Sequence, residues 1–202
     1  MRIGVDFDNT IVCYDGAFQR GARDLGLVSE DLFASKNAVR DYFNNAGRRD
    51  EFTALQGYVY GARMDLASCY PGVKDFIRAA TSAEHELYVV SHKTHHPLLG
   101  PKYDLHAAAR NFLQEQDLVR TGGLRSENIF FALTKEEKVA KIADLNCQVF
   151  IDDLPEILAM VGFPKSARAI LFDPDGHHAK DDRFERFTNW RAIASALLGA
   201  AQ

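Results

Sequence analysis

The 202-residue chain is poor in cysteine, lacks a long apolar run and has no excess of positive charge. Its three cysteines, Cys13, Cys69 and Cys147, are an odd number at wide spacing, which fits neither a disulfide framework nor a zinc finger. The longest apolar stretch, near residues 192–201, is too short to cross a bilayer. The formal net charge of −4 argues against a nucleic-acid partner, because such proteins usually carry a basic stripe.

The first residues and the low cysteine content bear on the cellular location, and the length bears on the size of the core. Asp6 interrupts the first residues before any long apolar stretch, which is not the pattern of a signal peptide. Together with the scarce cysteines, this predicts a cytoplasmic protein with no membrane partner. The length suffices for one full core and a small insertion, and 47% hydrophobic and 26% charged residues are typical of a soluble globular chain.

Short apolar runs alternate with helical patterns along the chain. The predicted strands are residues 2–7, 87–91, 128–133, 148–151 and 169–172. The predicted helices include residues 105–118 and two amphipathic faces, formed by Val73, Phe76, Ile77 and Ala80 and by Leu154, Ile157, Leu158 and Val161. The alternation predicts an α/β fold, with a Rossmann-like parallel sheet covered on both sides by helices.

One stretch, residues 13–70, breaks the alternation. It holds helical patterns and no good strand, and a Pro-Gly pair at residues 71–72 marks the return to the alternating pattern. We therefore expect an α/β core made of residues 1–12 and 71–202, with a helical cap subdomain over residues 13–70 inserted after the first strand. Such an insertion would serve as a lid that excludes water and selects substrates.

A short run inside this insertion combines glycines with aromatic side chains and an arginine. Glycine permits close approach of a ligand, and arginine binds a carboxylate or phosphate by bidentate hydrogen bonds. Tyr58 and Arg63 are therefore candidate substrate-binding residues, although a single arginine in such a segment is more often simply solvated.

Two carboxylates follow the first apolar run. Asp6 and Asp8 are two positions apart in extended chain, so they point the same way. They follow a predicted strand, and ligands of open α/β sheets collect beyond the carboxyl ends of the strands. Two like charges this close repel unless a cation lies between them or one keeps its proton. The pair indicates a metal site, or a nucleophile beside a general acid.

Polar residues also follow the second predicted strand. Ser91 closes it, and His92 and Lys93 come next. A hydroxyl and the following backbone amides could hold a phosphate oxygen there, although a serine at a strand end is more often a turn or cap residue. The histidine-rich residues 92–106 leave the sheet at the same end, and they fit a substrate contact, a second metal site or a plain loop.

A helix start follows the third predicted strand. Thr134 and Glu137 have the spacing of a capping box. A lysine in the first turn of this helix could neutralise an anion at the edge of the sheet. Lys135 and Lys138 both fit, and Lys138 is favoured because it begins the apolar face of the helix.

Asp152 and Asp153 follow the fourth apolar run. Acidic side chains have no packing reason to lie there, and isolated burial would be costly. Carboxylate oxygens are the ligands that Mg²⁺ prefers. Asp153 could instead cap the helix that begins at Pro155. Both interpretations stay open, with Asp152 on a metal and Asp153 capping or supporting it.

Taken in order, these motifs resemble those of the haloacid dehalogenase (HAD) superfamily of phosphotransferases and phosphatases. Its Asp-x-Asp-x-Thr/Val motif matches residues 6–10, and its strand-end Ser or Thr matches Ser91. Its helix-borne lysine matches Lys138, and its acidic fourth motif matches residues 152–153. The insertion over residues 13–70 resembles the small helical type-1 cap of that superfamily. The resemblance covers nearly the whole chain.

The resemblance implies a Mg²⁺-dependent phosphomonoesterase. Asp6 would attack phosphorus and form an aspartyl-phosphate, and Asp8 would protonate the leaving oxygen and later deprotonate water. Thr10 would orient the first loop. The metal site would comprise Asp6, Asp152, the backbone carbonyl of Asp8 and Asp153 in support. Ser91 and Lys138 would stabilise the phosphoryl oxygens, with His92 and Lys93 as further candidate substrate contacts.

The residue at position 8 also separates possible activities. Dehalogenases of the superfamily lack an acid there, so Asp8 favours phosphate chemistry. The expected substrate is a small phosphorylated metabolite, and the expected state is a monomer or homodimer. The sequence also leaves open a phosphomutase or phosphotransferase at the same site, and a non-catalytic binding or regulatory module on the same fold.

Overall fold

A computed structural model describes residues 1–29 and 35–199 of the chain. The strands are β1 (Arg2–Val5), β2 (Val12–Cys13), β3 (Ser68–Cys69), β4 (Glu86–His92), β5 (Ile129–Ala132), β6 (Val149–Asp152), β7 (Arg168–Phe172) and β8 (Glu185–Phe187). The α-helices are α1 (Ala17–Asp24), α2 (Lys36–Asn45), α3 (Arg49–Gly61), α4 (Val73–Ser82), α5 (Leu105–Glu115), α6 (Lys135–Asp144), α7 (Pro155–Leu158) and α8 (Trp190–Leu198). Residues 30–34 of the predicted insertion and 200–202 of the predicted core lie outside the described residues.

Six parallel strands form the main sheet, in the order β5-β4-β1-β6-β7-β8. The central strand β1 pairs with β4 and β6, and Val5 lies opposite both Val89 and Ile151. Helices α4 and α6 pack on this sheet, and α8 packs against α4 and β8. The α/β fold with a Rossmann-like parallel sheet, predicted from the alternation of apolar runs and helical patterns, is confirmed.

All five predicted strands form, but the sequence did not indicate the edge strand β8. Its three residues, Glu185–Phe187, are half-exposed or exposed and contain no apolar run. Strands β2 and β3 have two residues each and pair in a separate sheet. Strands this short carry too few residues for a periodic signal.

One predicted helix is much shorter than its apolar spacing indicated. Helix α7 has four residues, and Val161, expected on its buried face, is 98% exposed. The chain turns at Gly162, which adopts the left-handed φ of +96°, and Pro164 follows. By contrast, the predicted apolar face of α4 is buried throughout.

The chain divides into two compact units. The first contains Met1–Val12, Cys69–Lys93 and Gln116–Gln202, and therefore the whole main sheet. The second contains Cys13–Ser68 together with Thr94–Glu115. Helices α1, α2 and α3 of this second unit fall in the predicted insertion, whereas α5 comes from the sequence that was assigned to the core.

Close packing on α3 explains why residues after β4 join the second unit. A Cβ added at Gly57 would lie 2.5 Å from Pro97 Cβ, and one added at Gly61 would lie 2.3 Å from Tyr103 Cβ. Both glycines therefore let the segment before α5 approach the helix backbone. Helix α5 itself also contacts α3.

Aromatic side chains fill the interior of the second unit. Phe18 stacks on Phe52 with ring centroids 5.6 Å apart, and the ring centroids of Tyr14 and Tyr60 are 4.9 Å apart. The ammonium group of Lys36 donates to the hydroxyl oxygen of Tyr60 over 2.7 Å. Among the described residues, no helix has the length and apolar character needed to cross a membrane.

The packing of β1 against β6 yields a stability prediction. A Cβ at Gly4 would lie 2.4 Å from Phe150 Cδ2 and 3.1 Å from Cys147 Sγ, and both neighbours belong to the buried core. We expect Gly4→Ala to lower the free energy of unfolding by about 1–3 kcal/mol, measured by urea denaturation. The control Val161→Ala, at a fully exposed side chain, should change it by less than about 0.5 kcal/mol. Similar values for the two variants would contradict this packing.

Candidate active site

The register of three strands brings the predicted acidic and hydroxyl residues to one edge of the sheet. Beyond the end of β1, the backbone N–H of Asp6 donates to the carbonyl oxygen of Ile151 over 2.9 Å. Ser91 lies near the end of β4, and Asp152 ends β6. All three site residues are buried, at 4% exposure or less. Asp6, Ser91 and Asp152 therefore lie at the edge where the three neighbouring strands end.

A buried lysine joins two of these carboxylates. Lys138 is 1% exposed, and its Nζ lies 2.6 Å from Asp6 Oδ1 and 2.6 Å from Asp152 Oδ2. Lys135, the alternative in the same turn, is half-exposed and pairs with Glu156. The structure therefore places Lys138, and not Lys135, beside the acidic residues.

The start of α6 determines which lysine faces inward. Thr134 Oγ1 accepts a hydrogen bond from the backbone N–H of Glu137 over 3.1 Å, as the capping-box pattern predicted. The Glu137 carboxylate accepts in turn from the backbone N–H of Leu133 over 2.8 Å. These two bonds fix the first turn and direct Lys138 toward the end of β1.

The charges of this buried group are strongly coupled. Burial alone would lower the pKa of Lys138, but attraction to Asp152 and Asp6, and hydrogen bonds to both, raise it above its ordinary value. Burial raises the pKa of Asp152, and the attraction of Lys138 opposes that shift. We expect the lysine to carry its full charge throughout the physiological pH range.

Three carboxylates form a group suited to a cation. One oxygen from each of Asp6, Asp152 and Asp153 lies within 4.8 Å of the others. Within residues 1–29 and 35–199, this is the single such group of three His, Cys, Asp or Glu side chains. The donor set consists of carboxylate oxygens alone, which fits a hard divalent cation such as Mg²⁺.

The sequence left open a role of Asp153 as a helix cap, and the structure places Asp153 one residue before the N-cap position of α7. Leu154 occupies the N-cap position of α7, without a side-chain cap. The backbone N–H of Leu154 donates instead to Asp152 Oδ1 over 3.0 Å. Asn9 Nδ2 donates to Asp153 Oδ2 over 3.2 Å. Asn9 adopts a left-handed φ of +58°, a conformation that asparagine tolerates well.

Sequence reasoning missed this contact of Asn9. The only available signal was its residue type, because asparagine is enriched where the chain turns left-handed. Its partner is 144 positions away in the sequence, so local spacing could not indicate it.

Lys93 lies beside the second acid of the pair. Lys93 Nζ is 2.8 Å from Asp8 Oδ2 and 3.1 Å from Asp8 Oδ1. The lysine is 4% exposed, and its ammonium group lies 5.3 Å from the centroid of the Phe7 ring. The structure thus brings Lys93 to Asp8, whereas the sequence had indicated only a possible substrate contact.

Thr10 and His92, two further candidates of the first unit, differ in burial and in their partners. Thr10 is fully buried, and its hydroxyl group makes a long 3.5 Å hydrogen bond to Asp6 Oδ2. Its carbonyl oxygen accepts from Trp190 Nε1 over 3.1 Å, which anchors the loop after β1. His92 is exposed, and a ring nitrogen lies 3.1 Å from the carbonyl oxygen of Leu133.

The candidates of the second unit have partners of their own. Arg63 forms salt bridges with Asp24 and Asp65. The hydrogen bonds that the Arg63 guanidinium donates to Asp65 and Tyr58 raise the pKa of Arg63, and desolvation opposes that shift. In the histidine-rich segment, the ring centroids of His95 and His106 lie 4.0 Å apart. The charge of Arg63 is thus balanced by two carboxylates of the same unit.

Structure comparisons support the fold. The chain matches a HAD family hydrolase from Deinococcus radiodurans R1, solved with bound phosphate and sodium, at 16% identity and a TM-score of 0.61, over 97% of this chain and 94% of that one. It matches a HAD phosphatase from Thermococcus onnurineus at 16% identity and a TM-score of 0.52, over 98% and 97%. It also matches a protein described as a dehalogenase at 14% identity and a TM-score of 0.57, over 97% and 96%.

Sequence comparisons give no match. Neither a protein-family model nor a curated protein sequence matches the chain. The structural likeness nevertheless extends over nearly the whole length of each neighbour. The chain therefore has the fold of the HAD superfamily, as its motifs indicated.

The acidic group yields a prediction for metal binding. We expect the protein to bind Mn²⁺ and Mg²⁺ in isothermal titration calorimetry, and Asp152→Asn to abolish that binding. Asn9→Gly preserves the left-handed backbone while removing the contact to Asp153, so it should raise the dissociation constant about 10–100-fold.

Asn146 provides a matched control for the Asn9 variant. It is also an asparagine with a left-handed φ, of +50°, but it is exposed and bonds only locally, to the carbonyl oxygen of Asp144. Asn146→Gly should leave the affinity for metal unchanged. Equal affinities for the two glycine variants would show that Asn9 does not orient the metal ligands.

Proposed function

We propose that this protein is a Mg²⁺-dependent phosphomonoesterase that acts on a small phosphorylated metabolite through an aspartyl-phosphate intermediate. The observation that carries the proposal is the buried group at the end of β1, in which Lys138 joins Asp6 to Asp152 at 2.6 Å each. Asp8 lies two residues beyond the proposed nucleophile, and Asp153 completes the acidic group. This arrangement supplies a nucleophile, a proton donor, a cation site and a fixed positive charge.

In the first proposed step, an Asp6 carboxylate oxygen attacks phosphorus. A new oxygen–phosphorus bond forms and the ester oxygen–phosphorus bond breaks, and the leaving oxygen takes a proton from the Asp8 carboxyl group. Lys138 and the Ser91 hydroxyl stabilise the charge on the remaining phosphoryl oxygens. Asp6, Asp152 and the Asp8 carbonyl oxygen, with Asp153 in support, would hold Mg²⁺, which would supply positive charge between the nucleophile and the phosphate.

In the second step, water attacks the aspartyl-phosphate. Asp8, now ionised, accepts a proton from the water as the new oxygen–phosphorus bond forms. The bond between Asp6 and phosphorus breaks, which releases inorganic phosphate and restores the Asp6 carboxylate. The protein thereby returns to its starting protonation state, with Asp8 again carrying a proton.

Asp8 favours phosphate transfer over dehalogenation, because removal of a halide needs no proton donor for the leaving group. One structural neighbour is described as a phosphatase and another as a dehalogenase, so the fold alone does not choose between them. A phosphomutase would use the same residues but return the phosphoryl group to a substrate. A non-catalytic module would have no need to assemble all of these groups.

Several finer expectations stay predictions from the sequence. They concern the cap function of residues 13–70 and substrate contacts by Tyr58, Arg63, His92 and the segment of residues 92–106. We also propose a cytoplasmic location, on the grounds of cysteine usage and the pattern of the first residues, and a monomer or homodimer.

The central experiment measures inorganic phosphate released from nucleotides, sugar phosphates, short acid phosphates and 4-nitrophenyl phosphate. We expect release that depends on Mg²⁺, stops with excess chelator and is lost in Asp6→Asn, because no nucleophile of comparable reactivity remains. Asp182→Asn, at an exposed residue that pairs with Lys180, should behave as wild type. Halide release from haloacids without phosphate release would assign a dehalogenase, and phosphoryl transfer without free phosphate would assign a mutase.

The two lysines of α6 provide a second test of the mechanism. Lys138→Met removes the buried ammonium group that bridges Asp6 and Asp152. We expect it to lower kcat by about 10²–10³-fold, which is the usual effect in enzymes of removing one hydrogen-bond donor that stabilises the transition state. Lys135→Met removes a half-exposed ammonium group paired with Glu156, and should leave kcat within about twofold. The reverse order of effects would contradict the assignment of Lys138.

A further inference from the structure

Lys93 is a second buried cation in the first unit, and the proposed steps make no use of it. Its side chain is 2% exposed and that of its partner Asp8 is 17% exposed. Its ammonium group reaches both carboxylate oxygens of Asp8, at 2.8 and 3.1 Å. The contact joins residues 85 positions apart, beyond the ends of the neighbouring strands β1 and β4.

Stability does not explain this pair. Taking an ammonium group and a carboxylate out of water costs several kcal/mol, and an apolar residue of similar volume often stabilises a buried position as well or better. The contact does restrict the geometry of both residues. The backbone N–H of Lys93 donates to the carbonyl oxygen of Ala132 over 2.8 Å, and the Phe7 ring lies beside the ammonium group. The lysine is therefore held at both its backbone and its tip.

The two lysines divide the acids between them. Lys138 contacts Asp6 and Asp152, whereas Lys93 contacts Asp8. Each acid of the Asp6 and Asp8 pair thus has its own ammonium group beside it. The contact with Lys93 restricts the orientation of the Asp8 carboxyl group relative to the nucleophile.

We propose that Lys93 is a positioning residue for Asp8: it holds the carboxyl group of the acid–base residue where the leaving oxygen and the attacking water will lie. The inference rests on the proposed phosphatase function. In general acid–base catalysis, the catalytic carboxyl group must lie within hydrogen-bonding distance of the atom that gives or takes the proton. A displacement of a catalytic group by about 1 Å can lower the rate about 10²-fold. Lys93 acts through Asp8 and takes no direct part in binding the phosphoryl group.

A double-mutant cycle tests this inference. Lys93→Met, Asp8→Asn and the double variant are compared by kcat and KM for phosphate release from 4-nitrophenyl phosphate and from an alkyl phosphate. We expect Lys93→Met alone to lower kcat for the alkyl ester by about 10–100-fold with little change in KM. In the Asp8→Asn background it should cost less than about twofold, because the group that it orients is already lost.

The leaving group supplies a signature that a merely structural role would not produce. An aryl ester needs little protonation of its leaving oxygen, so Lys93→Met and Asp8→Asn should both harm it less than the alkyl ester. The control Lys141→Met removes an ammonium group 5.1 Å from the Phe130 ring and 4.0 Å from Asp144, at a more exposed position. Lys141→Met should change kcat by less than about twofold for either ester.

The possible results separate the two proposals. Independent losses from Lys93→Met and Asp8→Asn, or a raised KM with unchanged kcat, would show that Lys93 binds the phosphoryl group directly and would overturn the inference alone. A wild-type protein that releases no phosphate from any ester would overturn the proposed function, and the inference with it. If Lys93→Met fails to fold by circular dichroism, Lys93→Gln, which retains a hydrogen-bond donor, takes its place in the same cycle with the same expected non-additivity.

Discussion

The ion pairs of Lys138 with Asp6 and Asp152 are the interaction on which the rest of the candidate site depends. Two carboxylates buried at the end of adjacent strands would repel each other, and one ammonium group at 2.6 Å from each makes their burial tolerable. That ammonium group can reach both only because α6 begins immediately after β5, with its first turn fixed by Thr134 and Glu137. The acidic group, the loop after β1 and the start of α6 are therefore parts of one electrostatic arrangement.

The same principle explains which features could be predicted from the sequence. Apolar runs and polar residues at their ends indicate parallel strands and a ligand edge, and the strand order places β1 between β4 and β6 as that interpretation requires. The choice of Lys138 over Lys135 also follows from a local rule, since Lys138 begins the apolar face of α6. In both cases the determining contacts are close in the sequence or follow from the geometry of a parallel sheet.

Other features depend on contacts that sequence spacing does not encode. The bonds from Asn9 to Asp153 and from Lys93 to Asp8 join residues far apart in the chain, and each needs a specific side-chain orientation. The end of α7 before Val161 depends on a turn at Gly162, whereas the apolar spacing of the segment favoured a longer helix. The membership of residues 94–115 in the second unit depends on two glycines of α3 that are ordinary in sequence but leave space for Pro97 and Tyr103.

This last feature affects how the protein could be divided or recombined. The chain passes from one unit to the other after Val12, Ser68, Lys93 and Glu115, so neither unit is a continuous piece of sequence. A graft of residues 13–68 onto a related sheet would leave behind the segment that covers Gly57 and Gly61, and would expose the backbone of α3 to water. The helical unit of this protein is thus a module encoded in two separate segments, and any chimaera that preserves its interior must transfer both.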